Sequence, residues 1–383
     1  MRPLFTLFLL AAPLAAQTRD VTVAAPTRLD WQFAVHGFGP DAAKLPAGYD
    51  SQKQQHHQLY VPKVDKKPKA WPLVLFISPG ETPAGLTAWK PVCDREGALF
   101  CSPYAAGNPV PAGARTRIVL DVLDDVRRSF PVDPDQTYIG GFSGGGRMAC
   151  AIGFALPECF GGIAPVCGTN ALTKVTYLRH RAADRLSLAF ITGEKDFNRA
   201  ENEKFMAPWM EEVGIRSKLW VTPKLGHAIP DASVMGEAYK FLKEDLARRR
   251  AEAKLTPALA MAWDKEIDAA AFVEEALKQV DDPARTWRGV ALLQGALARW
   301  PKSEAAAKAK TRLGEILKDE KVLERVAAQG DKDEELSLVA QARAFERFGR
   351  VKEAILAWRT LAESQPGSPA AMVAAKEIKR LQK

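Results

Sequence analysis

The 383-residue chain is poor in the residues that hold metals. It has five cysteines and five histidines, with no C-x-x-C pair and no His/Cys cluster at zinc-finger intervals. No metal and no other cofactor is therefore expected. No apolar run reaches the ~20 residues that a membrane helix needs, so no membrane-spanning helix is expected. Charge of one sign is not concentrated either. Lysine and arginine outnumber aspartate and glutamate by 54 to 46, but the two signs are mixed and no long basic block forms. The net +8 reads as a solvated basic surface, without a nucleic-acid partner. What remains is ordinary globular composition, 47% hydrophobic and 26% charged, in a chain long enough for two domains and a sizeable core.

Residues 1–16 carry one basic residue, Arg2, then an apolar run from Leu4 to Leu14 broken only by Thr6 and Pro13, then Ala15-Ala16 before Gln17. This is the pattern of a signal peptide, so the mature protein is expected to be exported, periplasmic or extracellular. In that setting five cysteines permit up to two disulfides and leave at least one unpaired. Cys93 with Cys101 and Cys159 with Cys167 are the pairs nearest in sequence, and Cys150 reads as a buried thiol.

The most informative stretch is Thr137-Tyr138-Ile139-Gly140-Gly141-Phe142-Ser143-Gly144-Gly145-Gly146, a strand-like run ending at a serine set among glycines. Gly141 to Gly145 fits G-x-S-x-G, in which the serine occupies a strained turn between a strand and a helix. The helix expected from Gly144 to about Ala155 points its positive end at Ser143, and the Gly144 amide is placed to bind an oxyanion. Three glycines at a helix start cost about 1 kcal/mol each relative to alanine, which makes sense if backbones must approach closely there.

Around this element the chain alternates strand and helix. Leu29 to Val35 and Gln55 to Val61 read as an opening hairpin. Pro72 to Ser78 is a continuous apolar run, as a strand buried on both faces requires. Leu86 to Glu96 predicts a helix, Ala98 to Cys101 a strand, and Pro103 to Gly113 a loop able to wall a pocket, to which Asn170 to Lys174 and the region around Phe197 and Trp209 are expected to contribute. Arg115 to Phe130 has helical spacing. Strands at Gly162–Val166, Leu186–Thr192 and Ser217–Thr222, a helix near Glu201–Val213 and a last helix from Asp231 complete the pattern. The expected fold class is α/β, a doubly wound and mostly parallel sheet with ligands at the carboxyl ends of its strands.

A serine hydroxyl needs a general base, and the base an orienting acid. In this arrangement the chain order is serine, acid, histidine. His36, His56 and His57 precede the serine. His180 lies in a charged segment before a strand, whereas His227 sits in a loop just after the last strand and is the candidate base. The loop leaving Leu186–Thr192 carries Glu194 and Asp196; Asp196 is the better acid, with Glu194 as its rival.

With these residues in place, positions of about 50 to 249 resemble the α/β-hydrolase superfamily, especially secreted esterases of the polyhydroxybutyrate depolymerase and feruloyl esterase kind. Prolyl oligopeptidase and dienelactone hydrolase relatives share that architecture. The resemblance implies Ser143, Asp196 and His227 as a catalytic triad and a carboxylic-ester substrate, polymeric or plant-derived. Many members carry His-Gly at the oxyanion loop where this chain has Ser78-Pro79-Gly80-Glu81. Proline has no amide hydrogen to offer, so Gly144 is expected to be joined by Gly80 or Glu81.

From about Leu246 the strand pattern gives way to alanine-rich amphipathic helices. Aligned on itself at an offset of 65, the tail pairs Pro301 with Pro366, Ser303 with Ser368, Ala305 with Ala370 and Ala309 with Ala374. Ala342, Phe345, Gly349, Ala354, Trp358, Leu361 and Pro366 resemble a tetratricopeptide unit. The expected division is a hydrolase domain at 17–250 and a helical tetratricopeptide-like domain at 251–383, the latter suited to binding a protein partner. Two other functions compete with an esterase, a prolyl oligopeptidase-like peptidase and a non-catalytic interaction protein. Residues 17 to about 250 hold every candidate catalytic group and are expected to keep core activity alone.

Overall fold

The computed structural model describes residues 16–35, 38–39, 41–252 and 265–383. The expected leader up to Ala15, His36 and the segment 253–264 lie outside the described residues. An eight-stranded sheet forms from β1 (Gln17–Thr22), β2 (His56–Val61), β3 (Trp71–Ile77), β4 (Leu99–Pro103), β5 (Val132–Phe142), β6 (Gly162–Val166), β7 (Ser187–Gly193) and β8 (Arg216–Thr222). Their spatial order is β1-β2-β4-β3-β5-β6-β7-β8. β1, β2 and β4 pair antiparallel, and every pairing from β4 onward is parallel.

Short helices α1 (Trp31–Ala34) and α2 (Ser51–Gln54) precede α3 (Leu86–Glu96), α4 (Ala112–Ser129), α5 (Gly144–Ala155) and α6 (Thr176–Arg185). One turn each of α7 (Arg199–Glu201) and a π-helix (Asn202–Met206) leads into α8 (Ala207–Glu212), followed by α9 (Ala232–Glu244) and α10 (Leu246–Glu252). Alternation along each strand fills two layers. Leu73, Leu75 and Ile77 pack with Val119 and Val122 of α4, Ile152 of α5 and Met210 of α8. Val74 and Phe76, one residue out of phase, pack with Trp89 of α3 and Met235, Tyr239 and Leu242 of α9. Helices on both faces of a mostly parallel sheet, with an elbow after the central β5, make this an α/β-hydrolase fold.

Two expectations change. The opening hairpin exists, but its first strand is β1, paired Gln17 to Val61 and Thr22 to His56, and residues 31–34 form α1 instead of a strand. The amides of Ala34 and Val35 turn back on the Asp30 and Trp31 carbonyls at 2.9 and 3.1 Å, and the segment just before Leu29 is held by buried carboxylates of α4. Asp125 accepts from Ala24 (2.8 Å), Asp121 from Thr27 (2.7 Å) and Asp124 from Arg28 (2.8 Å). Amides so committed cannot join a ladder. The cysteines are all free and buried. Cys101 and Cys159 lie in one core layer and Cys93 and Cys167 in the other, so the sheet stands between the members of each sequence-adjacent pair.

The remaining chain is helical: α11 (Lys265–Asp281), α12 (Thr286–Arg299), α13 (Glu304–Ile316), α14 (Glu320–Arg347), α15 (Val351–Ser364) and α16 (Pro369–Leu381). The bounds of α12 and α13 recur 65 residues later as those of α15 and α16. Even the caps correspond, with Ser303 Oγ accepting from the Ala306 amide and Ser368 Oγ from the Ala371 amide, both at 3.0 Å. The internal repeat is thus a repeat of structure. This region packs on the sheet-covering helices. Tyr177 and Leu178 of α6 share an apolar cluster with α11 and α12, and Phe205 stacks on Phe345 and Phe348 at centroid distances of 5.1 and 5.8 Å. Among the described residues no helix is long and apolar enough to cross a membrane.

Candidate active site

β5 runs apolar up to Phe142, and the chain then reverses through Ser143 into α5. Ser143 has φ 53° and ψ −120°, a region in which a non-glycine residue is strained by ~1–3 kcal/mol. Its amide is held by the Val166 carbonyl of β6 at 2.8 Å, which fixes the turn against the neighbouring strand. The glycines allow the close approach. A Cβ at Gly145 would lie 2.0 Å from the Ile77 carbonyl oxygen, and one at Gly168 would lie 2.3 Å from that of Ser143.

Loops from three strand ends converge on the serine. His227, after β8, places Nε2 2.9 Å from Ser143 Oγ and Nδ1 2.8 Å from Asp196 Oδ1. Asp196, after β7, is buried, and its carboxylate accepts from Thr192 Oγ1 at 2.6 Å and the Asn198 amide at 3.1 Å. Burial alone would push its carboxyl up. The hydrogen bonds from Thr192, His227 and Asn198 outweigh burial and hold it below the usual carboxylate range, hence ionised. Glu194 points elsewhere: its exposed carboxylate accepts from the Lys224 amide at 2.7 Å and braces the turn after β8. His180 is drawn into the contact with the C-terminal helices, its Nε2 3.2 Å from Asp333 Oδ1.

The loop after β3 forms the opposite wall. The Gly80 amide donates to Ser78 Oγ at 3.1 Å. The carbonyls of Pro79 and Glu81 turn outward, accepting from the Asn108 and Ala105 amides at 2.8 and 2.7 Å. Arg115, buried on α4, ties the two loops together by donating to the carbonyls of Ala106 (2.7 Å) and Ser78 (3.4 Å) and to Asn108 Oδ1 (3.3 Å).

The sequence already marks the region around Phe197 as pocket-shaping, whereas the places of Phe142, Thr192 and Cys167 at the site escape it. Phe197 stacks on the His227 ring, centroids 4.2 Å apart, while remaining 76% exposed, and Phe142 flanks the ring at 4.9 Å. Thr192 ends an apolar strand and reads there as core. Cys167, just beyond β6, is buried beside the acid, and burial together with Asp196 pushes its thiol up to about 12. One donor atom each from Cys167, Asp196 and His227 lies within 4.8 Å of the others. No motif spacing announces that cluster, because three separate loops supply it.

No protein-family model matches the chain. It is similar to the poly(3-hydroxybutyrate) depolymerase of Ralstonia pickettii, 31% identical over 98 residues, a stretch that covers 22% of this chain and 19% of the depolymerase. The chain therefore aligns with less than a fifth of that relative's length. Solved structures similar to it include an S-formylglutathione hydrolase from Staphylococcus aureus, 14% identical, covering 50% of this chain and 90% of the other at a TM-score of 0.40. A thermostable esterase is 21% identical over 50% of this chain and 58% of its own, TM-score 0.39. A ferulic acid esterase is 15% identical over 61% and 99%, TM-score 0.43.

Proposed function

We propose that this chain is an exported serine hydrolase that cleaves carboxylic esters through a Ser143-His227-Asp196 triad and an acyl-enzyme. The observation that carries this reading is the continuous hydrogen-bonded path from Ser143 Oγ through the imidazole to an ionised, buried Asp196. His227 Nε2 takes the serine proton as Oγ attacks the ester carbonyl, and returns it to the departing alcohol. It then takes a proton from water, whose oxygen attacks the acyl-enzyme carbonyl, and returns that proton to Ser143 Oγ as the acyl–Oγ bond breaks and the acid leaves. Asp196 keeps the proton on Nδ1, so that Nε2 is the basic nitrogen, and stabilises the imidazolium once formed.

The tetrahedral oxyanion is assigned to the amides of Gly144, at the start of α5, and Glu81. Gly80 is the weaker choice because its amide is already engaged by Ser78 Oγ. The similarity to a poly(3-hydroxybutyrate) depolymerase makes short hydroxyalkanoate esters the first substrates to try, and the feruloyl esterase resemblance of the sequence adds hydroxycinnamoyl esters. Residues 17–250 are proposed as the catalytic unit and 251–383 as a tetratricopeptide-like unit that binds a protein partner. The reading is tested by fluorophosphonate labelling and a panel of p-nitrophenyl and hydroxycinnamoyl esters. A label on Ser143 with turnover of at least one ester class is expected; a folded protein that takes no label and turns over none refutes it.

Two substitutions probe the geometry. Asp196→Asn is expected to lower kcat by about 10⁴-fold by stabilising the wrong imidazole tautomer, whereas Glu194→Gln should leave kcat within a few-fold. The reverse ranking in steady-state kinetics would move the acid to Glu194. Gly168→Ala places a methyl against the Ser143 carbonyl. It is expected to cost about 1–3 kcal/mol of stability and roughly 10²-fold in kcat through displacement of the serine, with KM little changed.

A further inference from the structure

We propose that Cys167, Asp196 and His227 form a site for a thiophilic divalent cation, Zn²⁺ or Cd²⁺, and that filling it takes the base away from Ser143. The three donor atoms lie within 4.8 Å of one another. The edge of a coordination tetrahedron with zinc-ligand bonds of 2.0–2.3 Å is roughly 3.3–3.8 Å, so the widest pair of donors needs to close by at most about 1.5 Å, while His227 Nδ1 and Asp196 Oδ1, now 2.8 Å apart, need to open by roughly 0.5 Å. Sulfur, imidazole nitrogen and carboxylate oxygen are the donor set that zinc accepts, three protein ligands leaving a fourth position for water. Charge balances as well: one thiolate and one carboxylate neutralise a divalent ion, and the imidazole binds uncharged. That suits a pocket where both the thiol and the carboxylate are buried.

The surroundings are already those of supporting groups. Thr192 Oγ1 holds Asp196 Oδ2, while Oδ1, which faces His227 Nδ1 and accepts from the Asn198 amide at 3.1 Å, keeps a lone pair for the ion, and the Cys167 thiol gives up its 3.5 Å hydrogen bond to the Ala228 carbonyl. Cys167 has φ 56°, a region that asparagine, aspartate or glycine tolerates better, and that backbone is fixed by its amide on the Ile191 carbonyl (2.8 Å) and by Asn198 Nδ2 on its own carbonyl (2.8 Å). The imidazole supplies the way in, since its side chain is 23% exposed at the site mouth. On binding, the thiol releases its proton to solvent, and the ion replaces the hydrogen on Nδ1, which relocates to Nε2. An Nε2–H facing Ser143 Oγ cannot accept the serine proton, so turnover stops.

The inhibitory half of the proposal rests on the hydrolase reading; the binding half does not. The test is titration of the full chain with Cd²⁺, read by the ultraviolet cadmium-thiolate charge-transfer band, alongside Zn²⁺ inhibition of ester turnover reversed by a chelator. The band is expected in the wild type and in Ser143→Ala, and is expected to be lost in Cys167→Ser. Half-inhibition should require at least about tenfold more Zn²⁺ in Cys167→Ser, each variant being compared with its own metal-free rate, since loss even of groups behind the ligands costs 10–100-fold in affinity. His227→Gln keeps the thiol and should weaken Cd²⁺ binding by a similar factor. No band in the wild type, an unchanged band in Cys167→Ser, or unchanged Cd²⁺ affinity in His227→Gln overturns the site. A Cys167-dependent band on a protein that hydrolyses no ester supports the site and counts against the hydrolase reading instead.

Discussion

Ser143→Ala and His227→Ala are each expected to lower ester turnover by on the order of 10⁶-fold, and the double variant to be no worse than either alone. The reason is that neither group acts by itself. Without the hydroxyl, His227 has no proton to take; without the imidazole, the hydroxyl at 2.9 Å from where Nε2 stood is a neutral alcohol and a poor nucleophile. Residual hydrolysis in all three variants then reflects oxyanion binding and substrate positioning, a floor of about 10³–10⁴ over water. Stability should move little, because the strain at Ser143 belongs to its backbone, which alanine retains. Steady-state kinetics on an ester accepted by the wild type, with denaturation curves for all three variants, check this. A double variant worse than either single by the product of the two effects would mean that serine and histidine serve different steps.

The parts of this site legible in the sequence are those whose chemistry is local. G-x-S-x-G specifies an elbow because glycine alone lets β5, α5 and the neighbouring loops come so close, and the position of His227 follows from chain order once the strands are counted. Continuous apolar runs such as Trp71–Ile77 and Gly162–Val166 identify strands buried on both faces. β1 was illegible for the opposite reason. Its residues, Gln-Thr-Arg-Asp-Val-Thr, are nearly all exposed on an edge strand and carry no alternation. Leu29 to Val35, which does alternate, follows a stretch whose Ala24, Thr27 and Arg28 amides are held by three carboxylates of α4 more than ninety residues ahead, and its own Ala34 and Val35 amides close a helical turn. α6 was hidden by its charge: Arg179, His180, Arg181 and Asp184 look like a solvated loop, yet Arg179 and His180 pair with Asp333 and Asp184 pairs with Arg288. Whether Glu194 or Asp196 faces the imidazole depended on a turn that only coordinates describe, and the approach of Cys167 to that pair depended on a φ of 56°.

The same long-range pairing underlies the second large effect expected. Arg299→Met should destabilise the full chain by about 3–5 kcal/mol, the cost of removing one partner of a buried ion pair, out of a total of about 5–15. Arg299 lies on α12 with its side chain 1% exposed, and it pairs with Glu158 in the turn after α5 and with Asp30 at 3.3 Å. Its guanidinium also covers the Phe33 and Trp300 rings at 4.9 and 4.4 Å. One side chain thus pins the segment before β2, the turn after the elbow helix and the C-terminal helices. Methionine fills much of the volume but leaves the buried Glu158 carboxylate, and the half-buried Asp30, without their arginine. Adding Glu158→Gln should recover part of the loss, since the two residues form one unit and their effects are not additive. By contrast, Arg380→Met, which breaks exposed pairs with Glu346 and Glu377, should cost less than about 1 kcal/mol for each. Chemical denaturation distinguishes the possibilities. A single transition shifted as a whole means that the helical region and the hydrolase fold unfold together, and the fragment ending near Arg250 then keeps its catalytic groups at reduced stability. Two transitions, with only one moved by Arg299→Met, would mean that the helices add their contacts to a hydrolase that stands without them.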